Sequence, residues 1–483
     1  MKNKKLTIVA LILLGLVLFT GAFFVVFLNV SKNMKAAAEA EKAEEAIDVT
    51  SFSAYTKQKI FKDIPAMVVK GAKIGEVDTF GGKMYIIDVN GTTEADYDAY
   101  LKVLEKAGFK KHSDNGEDKM EGYVKTASYT KGDITLTVAQ ALSLDKTYIQ
   151  VKEKMALSDH LIYKDEYVAG IKPGAKTKLY LMEQRSGGGN SYVIQLKNGN
   201  FILYDGGNWD DTQYLLDFLE ELTPGDEKPH IEGWFISHAH GDHHGVLVEL
   251  ATDSAIHKNR ITVEGVYFVE TGDIEGANAD SIEGEASTNV RLAAAAFKNR
   301  EGEKTTFYRP QFGQRYYFCD MYIDVSLTCD FYTLDSYYIK DFNDTSLWLK
   351  AHIEGQTFLC GGDSSYTGTR ALMSVFDQSY GEVTMFSVLH HGINVYDYFT
   401  DWIKTDVALY TTWRDVNPYW EHEEYLVDRR DETEHLKESV KEFYHYGNGT
   451  VELTFPYVAG SAKTLTPNTW QYHAGESNRK PSD

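Results

Sequence analysis

The sequence predicts an α/β protein of mixed β-sheets covered by helices, preceded by a transmembrane helix and a small α+β domain. Three observations carry that expectation. An unbroken apolar run, residues 6–30, lies at the start of the chain. A β-rich stretch with a single helical segment follows it. Beyond residue 160, strand-like runs alternate with helical spacing on both sides of a histidine-rich strand end.

The apolar run has only Thr7, Thr20 and Asn29 as polar members. As a helix it reaches about 37 Å, enough to span a bilayer with tilt. It is longer than the apolar core of a cleaved signal peptide, roughly 7–15 residues, so an uncleaved anchor is expected. Lys2, Lys4 and Lys5 precede it, which leaves residues 1–5 as a cytoplasmic tail and sends the rest of the chain outside the cytoplasm. The expected location is the cell membrane, single-pass, with the functional domain extracytoplasmic. Residues 31–50 are rich in Ala, Glu and Lys and lack a sustained apolar face, which predicts a helical stalk.

Residues 51–155 predict the small α+β domain. Residues 83–89 are strand-like, and residues 94–107 carry Tyr97, Tyr100, Leu101 and Leu104 at helical spacing before Gly108. Three further β-rich runs, 123–129, 134–139 and 147–151, are separated by Gly, Asp and Lys. His112, and His160 just beyond, have no companions in the sequence, so a spacer or binding module is expected there.

The main domain is expected over 160–470, ahead of a polar tail at 471–483. Strands at 178–182 and 191–196 flank the turn Ser186-Gly-Gly-Gly189, and Asn198-Gly199 turns into a strand ending at Asp205-Gly-Gly207. No Gly-Lys-Ser/Thr follows the triple glycine, so it is a turn and not a phosphate loop. A helix over 211–222, a strand over 233–237, a helix after Gly245 and a strand over 261–269 come next. The acidic, Gly/Ala-rich segment 272–304 predicts a surface excursion over the site.

Composition bounds the function. An apolar fraction of 43% with 13% aromatics supports a large core. The net charge of −22 comes without a basic stripe, which argues against long nucleic acid as a partner and favours a small-molecule or envelope-polymer substrate. Cys319, Cys329 and Cys360 form no Cys-x-x-Cys pair, which excludes a cysteine zinc site and favours buried thiols.

The chemistry concentrates in Ser237-His238-Ala239-His240-Gly241-Asp242-His243-His244-Gly245, directly after the apolar run Gly233-Trp-Phe-Ile-Ser237. Imidazole suits transition metals, and a hard carboxylate beside it suits a second ion. His238 and His240 are two apart, so an extended loop brings both rings to one ion. Asp242 and His243 then face a neighbouring one.

These residues resemble the metallo-β-lactamase superfamily from about Lys178 to Pro456, with motifs in matching order. Asp205 matches the first motif, and His238, His240, Asp242 and His243 match the second. Phe358-Leu-Cys-Gly-Gly-Asp363 matches the strand that ends in a metal-bridging aspartate, and Val388-Leu-His390-His391-Gly392 matches the late histidine motif. Asn343-Asp-Thr-Ser-Leu-Trp-Leu349 and the His-His-Gly element are similar to the branch that includes the DNA-uptake competence proteins. The resemblance implies a four-layer αββα sandwich and a metal-dependent hydrolase holding two zinc ions, with Mn or Fe as alternatives. It implies His238 and His240 on one ion, Asp242, His243 and one of His390 or His391 on the other, and Asp363 bridging. Asp242 is expected to orient the attacking water, and Asp205 to hold an imidazole or the loop backbone. Many members have one more metal-binding histidine between the second motif and the bridging aspartate. Here that interval offers only His257 and His352, neither in the expected context, which leaves Asn343, Asp344 or water to replace it. The expected substrate is a small or zwitterionic phosphodiester. The alternatives are hydrolysis of an amide, lactone or thioester, or a non-catalytic surface binding protein with a degenerate metal site.

Overall fold

The computed structural model describes residues 51–80, 84–114, 123–153, 170–185, 189–225, 227–252, 258–270, 282–329, 342–412 and 427–465. The expected anchor, stalk and C-terminal tail lie outside these residues, as do His160 and His257. Among the described residues no helix is long and apolar enough to cross a membrane.

The first unit is a six-stranded antiparallel sheet, in spatial order Lys73–Phe80, Met84–Asn90, Lys146–Glu153, Ile134–Ala141, Val124–Lys131 and Lys110–Asp114. The helix Glu94–Lys106 lays Tyr97, Tyr100 and Leu104 against Ile87, Leu136, Val138 and Ile149 of one face. Thr93 and Asp96 cap that helix reciprocally, the Thr93 N–H donating to Asp96 at 2.8 Å and the Asp96 N–H to Thr93 at 3.2 Å. Gly108, at φ +88°, ends it. The outer strands Lys73–Phe80 and Lys110–Asp114 were not expected from sequence, because Lys, Gly and Asp interrupt their β character.

Two larger sheets form the second unit. One has nine strands, centred on the parallel pair Phe201–Asp205 and His230–Phe235. The other has seven, and in it Gln356–Cys360, Glu382–Ser387, Lys404–Tyr410 and Glu442–His445 run parallel. Alternation sorts the residues of each strand between two cores. Ile202 and Tyr204 point to the seven-stranded sheet, among Leu349, Phe358 and Met385. Phe201 and Leu203 point outward to the helices Thr212–Glu221 and Gly241–Thr252. On the far side of the seven-stranded sheet, Trp348 meets Phe399 of the helix Asp397–Trp402 edge-on.

Two expectations need correction. The segment 272–304 is not simply an excursion. Its residues 282–296 form a helix whose Val290, Ala293 and Ala294, with Phe297 beyond, line up at helical spacing and bury beside Trp234. The helix expected after Gly245 begins earlier, at Gly241, so Asp242 and His243 occupy its first turn and not a loop. All three cysteines are buried free thiols.

The six-stranded sheet is joined to the second unit by shared packing. Val124, Ala139 and Tyr148 belong to the same apolar cluster as Phe376 and Tyr380. Tyr148 donates to the Ser374 carbonyl at 2.9 Å, and Ser128 to Gln311 at 2.6 Å.

Candidate metal centre

The sequence-predicted residues converge where parallel strands of both large sheets end. Asp205 closes Phe201–Asp205, His238 and His240 follow His230–Phe235, Asp363 follows Gln356–Cys360, and the His390–His391 pair follows Glu382–Ser387. Carboxyl ends of parallel strands are where open α/β sheets gather ligands.

Two donor groups result. Asp242, His243, Asp363 and His391 form one, and His238, His240 and Asp363 form the other, with the ligand atoms within each group inside 4.8 Å of one another. Asp363 belongs to both. His390 belongs to neither, which separates the two late histidines that the sequence left equivalent. Asp344 also stays outside both groups, since it accepts from the backbone and hydroxyl of Ser365. His352 lies elsewhere on the seven-stranded sheet, 3.0 Å from Asp324.

Supporting contacts orient the rings. Asp205 is fully buried and accepts from the Ser237 N–H at 2.7 Å, the Ser237 hydroxyl at 2.8 Å and Asn190 Nδ2 at 2.7 Å. Its Oδ2 also lies 2.8 Å from His243 Nδ1, which turns His243 Nε2 toward Asp363 Oδ1, 3.1 Å away. His391 Nδ1 donates to the Thr411 carbonyl at 3.0 Å, so its Nε2 faces Asp242 Oδ2 at 3.1 Å and Asp363 Oδ2 at 3.5 Å. In the second group His238 Nε2 and His240 Nδ1 meet at 2.9 Å, while His238 Nδ1 rests on the Ser237 and Ser346 hydroxyls. Ser346 also accepts the Asp363 N–H at 3.1 Å. Sequence reasoning missed Asn190, Ser237 and Thr411 as supports, and Asn394, whose Nδ2 lies 2.9 Å from His390 Nδ1. Short polar residues beside glycine turns and strand ends carry no signal of their own until the fold brings them to a ring.

The backbone is strained at this site. Asp205, His390 and His391 have φ of 58°, 49° and 51°, in the left-handed region that β-carbons disfavour. Gly392 continues the turn at φ +81°, and a side chain there would strike the Tyr410 ring. The bend sets two neighbouring imidazoles with their ring centroids 6.0 Å and their planes 65° apart.

Electrostatics fit a cation. Among the described residues, the ion pairs of Asp242 and Asp363 are all with histidines. Burial would raise the Asp363 carboxyl, but His243, His391 and His390 hold it well below the usual range. Burial would lower His391, yet Asp363 and Asp242 push it up to about 10. The same carboxylates, with Asp205, raise His243 against its burial. Without metal, protons on these rings supply the positive charge that the carboxylates demand. His238, by contrast, is driven well below its ordinary value by burial and by the neighbouring His243 and His240, so it offers a neutral ligand. The donor set therefore suits two imidazole- and carboxylate-bound ions.

Residues 185–309 match the family model described as the Metallo-beta-lactamase superfamily, so the chain carries a domain of that superfamily. Solved structures similar to it include a mutant of CmlA beta-hydroxylase, at 13% identity over 59% of this chain and 55% of that one, with a TM-score of 0.34. A metal-dependent hydrolase of the beta-lactamase superfamily matches at 12% identity over 58% and 99% of the two chains, with a TM-score of 0.32. Human tRNase Z, short form, matches at 12% identity over 48% and 91%, with a TM-score of 0.26. The chain spans about half the length of the first of these, 55%. None of these matches bears on the competence-protein branch. No curated protein matches the chain in sequence.

Proposed function

We propose that this chain is a binuclear metal-dependent hydrolase that cleaves a small phosphodiester. We further propose that residues 6–30 anchor it, with the site outside the cytoplasm. The observation that carries the reading is the sharing of Asp363 between two donor groups. One shared carboxylate between two sets is the arrangement of two-ion sites, whose ions lie about 3.5–4 Å apart. Ions bound there would lower the pKa of a water and polarise the substrate oxygens.

The chain's own residues supply the rest. Asp205 fixes His243 and the Ser237 backbone, so the loop bearing His238 and His240 keeps its shape without metal. Asp242, about one-third exposed at its side chain, stands at the mouth, where it can orient a water for attack. The phosphodiester preference rests on the Asn343–Ser346 and His-His-Gly elements and on the acidic charge balance, which disfavours a long polyanion.

The test is hydrolysis of bis-p-nitrophenyl phosphate by full-length, zinc- or manganese-loaded protein. Turnover that disappears with a chelator and returns with metal is expected. Protein that ignores this diester but opens a lactone or thioester would overturn the substrate assignment and leave the metal assignment standing. For the anchor, protease added to intact cells should degrade the large domain, and full protection would refute the outward orientation.

A further inference from the structure

We propose that His390 is not a metal ligand but a fixed N–H donor to a substrate oxygen, with Asn394 as the positioning residue that holds it in that role. The inference rests on the metallohydrolase reading above and adds a residue to it.

Hydrogen-bond partners assign the two neighbouring imidazoles opposite tautomers. A carbonyl only accepts, so His391, which faces the Thr411 carbonyl at 3.0 Å, keeps its Nδ1 proton, and Nε2, which faces the two carboxylates, is the nitrogen that gives up its proton to a cation. His390 Nδ1 instead faces Asn394 Nδ2 at 2.9 Å. The orientation of that amide is fixed by its other contact, because Nδ2 also donates to the Asp363 carbonyl at 3.0 Å. An amide NH2 has no acceptor capacity, so His390 Nδ1 must accept. The neutral His390 ring therefore carries its hydrogen on Nε2.

That N–H points into the centre. His390 Nε2 lies 3.5 Å from Asp363 Oδ2, the carboxylate common to both donor groups. Its side chain is 21% exposed, against 11% for His391 and 0% for His243, so it is the late histidine more open to an arriving molecule. A nitrogen already bearing hydrogen has no in-plane lone pair for a metal. It can donate to an oxygen that shares the site with Asp363, and such a donor strengthens most where negative charge develops during hydrolysis. The left-handed turn at both residues is what sends one ring to the cations and the other to the substrate side.

The test compares wild type with His390→Ala, His390→Gln, His391→Ala and Asn394→Asp in the full-length protein. It reads metal content by plasma mass spectrometry, affinity for inorganic phosphate by calorimetry, turnover, and the tautomer by 15N NMR of labelled histidines. We expect His391→Ala to lose about one metal equivalent. His390→Ala should keep the wild-type metal content, bind phosphate at least tenfold more weakly and turn over about 10²-fold more slowly, the usual loss for one such donor. His390→Gln, whose amide still donates, should recover part of the turnover. Asn394→Asp places a carboxylate at Nδ1, so it should add to His390 an Nδ1–H signal that wild type lacks, while metal content stays unchanged. Metal lost from His390→Ala as from His391→Ala would overturn the inference, as would a wild-type Nδ1–H signal for His390, or phosphate binding unchanged in His390→Ala. A wild-type protein that takes up no metal would instead sink the metallohydrolase reading itself, and this inference with it.

Discussion

Two clusters of buried ionisable side chains sit in the second unit, and they settle their charge in opposite ways. On the seven-stranded sheet, Asp324 receives Arg315 through two contacts of 2.6 and 3.0 Å, and His352 at 3.0 Å. Arg315 also lies over the Tyr322 ring, and Lys350 nearby donates to the Tyr380 carbonyl at 2.8 Å. A guanidinium supplied by the chain neutralises that carboxylate permanently, which makes the cluster structural. At the candidate metal centre the ion-pair partners of Asp242 and Asp363 are imidazoles, which give up their protons to an incoming metal. A buried carboxylate that faces only histidines leaves room for a cation, whereas one that faces arginine does not. The contrast also explains why His352 does not take the place of the extra histidine found in many superfamily members: Asp324 already engages it.

The sharpest way to break this comparison is Asp363→Ala, which takes a ligand from both donor groups. Bound transition metal should fall from about two equivalents to below one, and turnover by about 10³-fold or more, as several kcal/mol of charge stabilisation disappear. Metal content that survives this change would refute the shared-ligand geometry. The matching change in the other cluster, Asp324→Ala, strands Arg315 and His352 without their carboxylate. It should destabilise the fold by about 3–5 kcal/mol in urea while metal stoichiometry stays at two. Loss of metal in that variant would show that the clusters are not independent. Next in size is Asp205→Asn, which weakens the hold on His243 without removing a ligand. Metal affinity should drop about 10–100-fold by competition with a chromophoric chelator.

The smallest effect concerns Lys350. Burial pushes its ammonium down to about 8 from 10.5, against the pull of Asp324 and Glu382. Between those values the unfolded chain binds more protons, so the burial penalty is fully present below pH 8 and fades as the pH rises to 10.5. Relative to Lys350→Met, wild-type stability should therefore rise with pH across that window in urea titrations. A parallel pH profile for the two proteins would mean that the lysine is not desolvated as the structure places it.

Much of the site could be read from the chain because its ligands cluster in sequence. His238 to His243 fall within one strand-to-helix junction, and Asp363 and the His-His-Gly element each follow an apolar strand beside glycine. The choice between His390 and His391 was not legible, since it depends on Asn394 and Thr411, partners brought together only by the turn and the next strand. The same holds for the helix over 282–296. Its small, Ala-rich face reads as weak amphipathicity in isolation and becomes a packing surface only once Trp234 and the helix Gly241–Thr252 lie beneath it. In the first unit the central strands were legible from their β-branched and aromatic residues. The flanking strands were not, because pairing with a neighbour, and not their own composition, makes them strands.

The left-handed backbone at His390 and His391 sets stability against turnover within one bend. Each β-carbon held there costs roughly 1–2 kcal/mol that glycine would not. Random variants screened only for surviving heat should therefore accept glycine at 390 or 391 and emerge hardier, but slower by about 10²-fold at 390 and short of metal at 391. Variants screened for hydrolysis should keep both histidines and recover their heat tolerance at other positions.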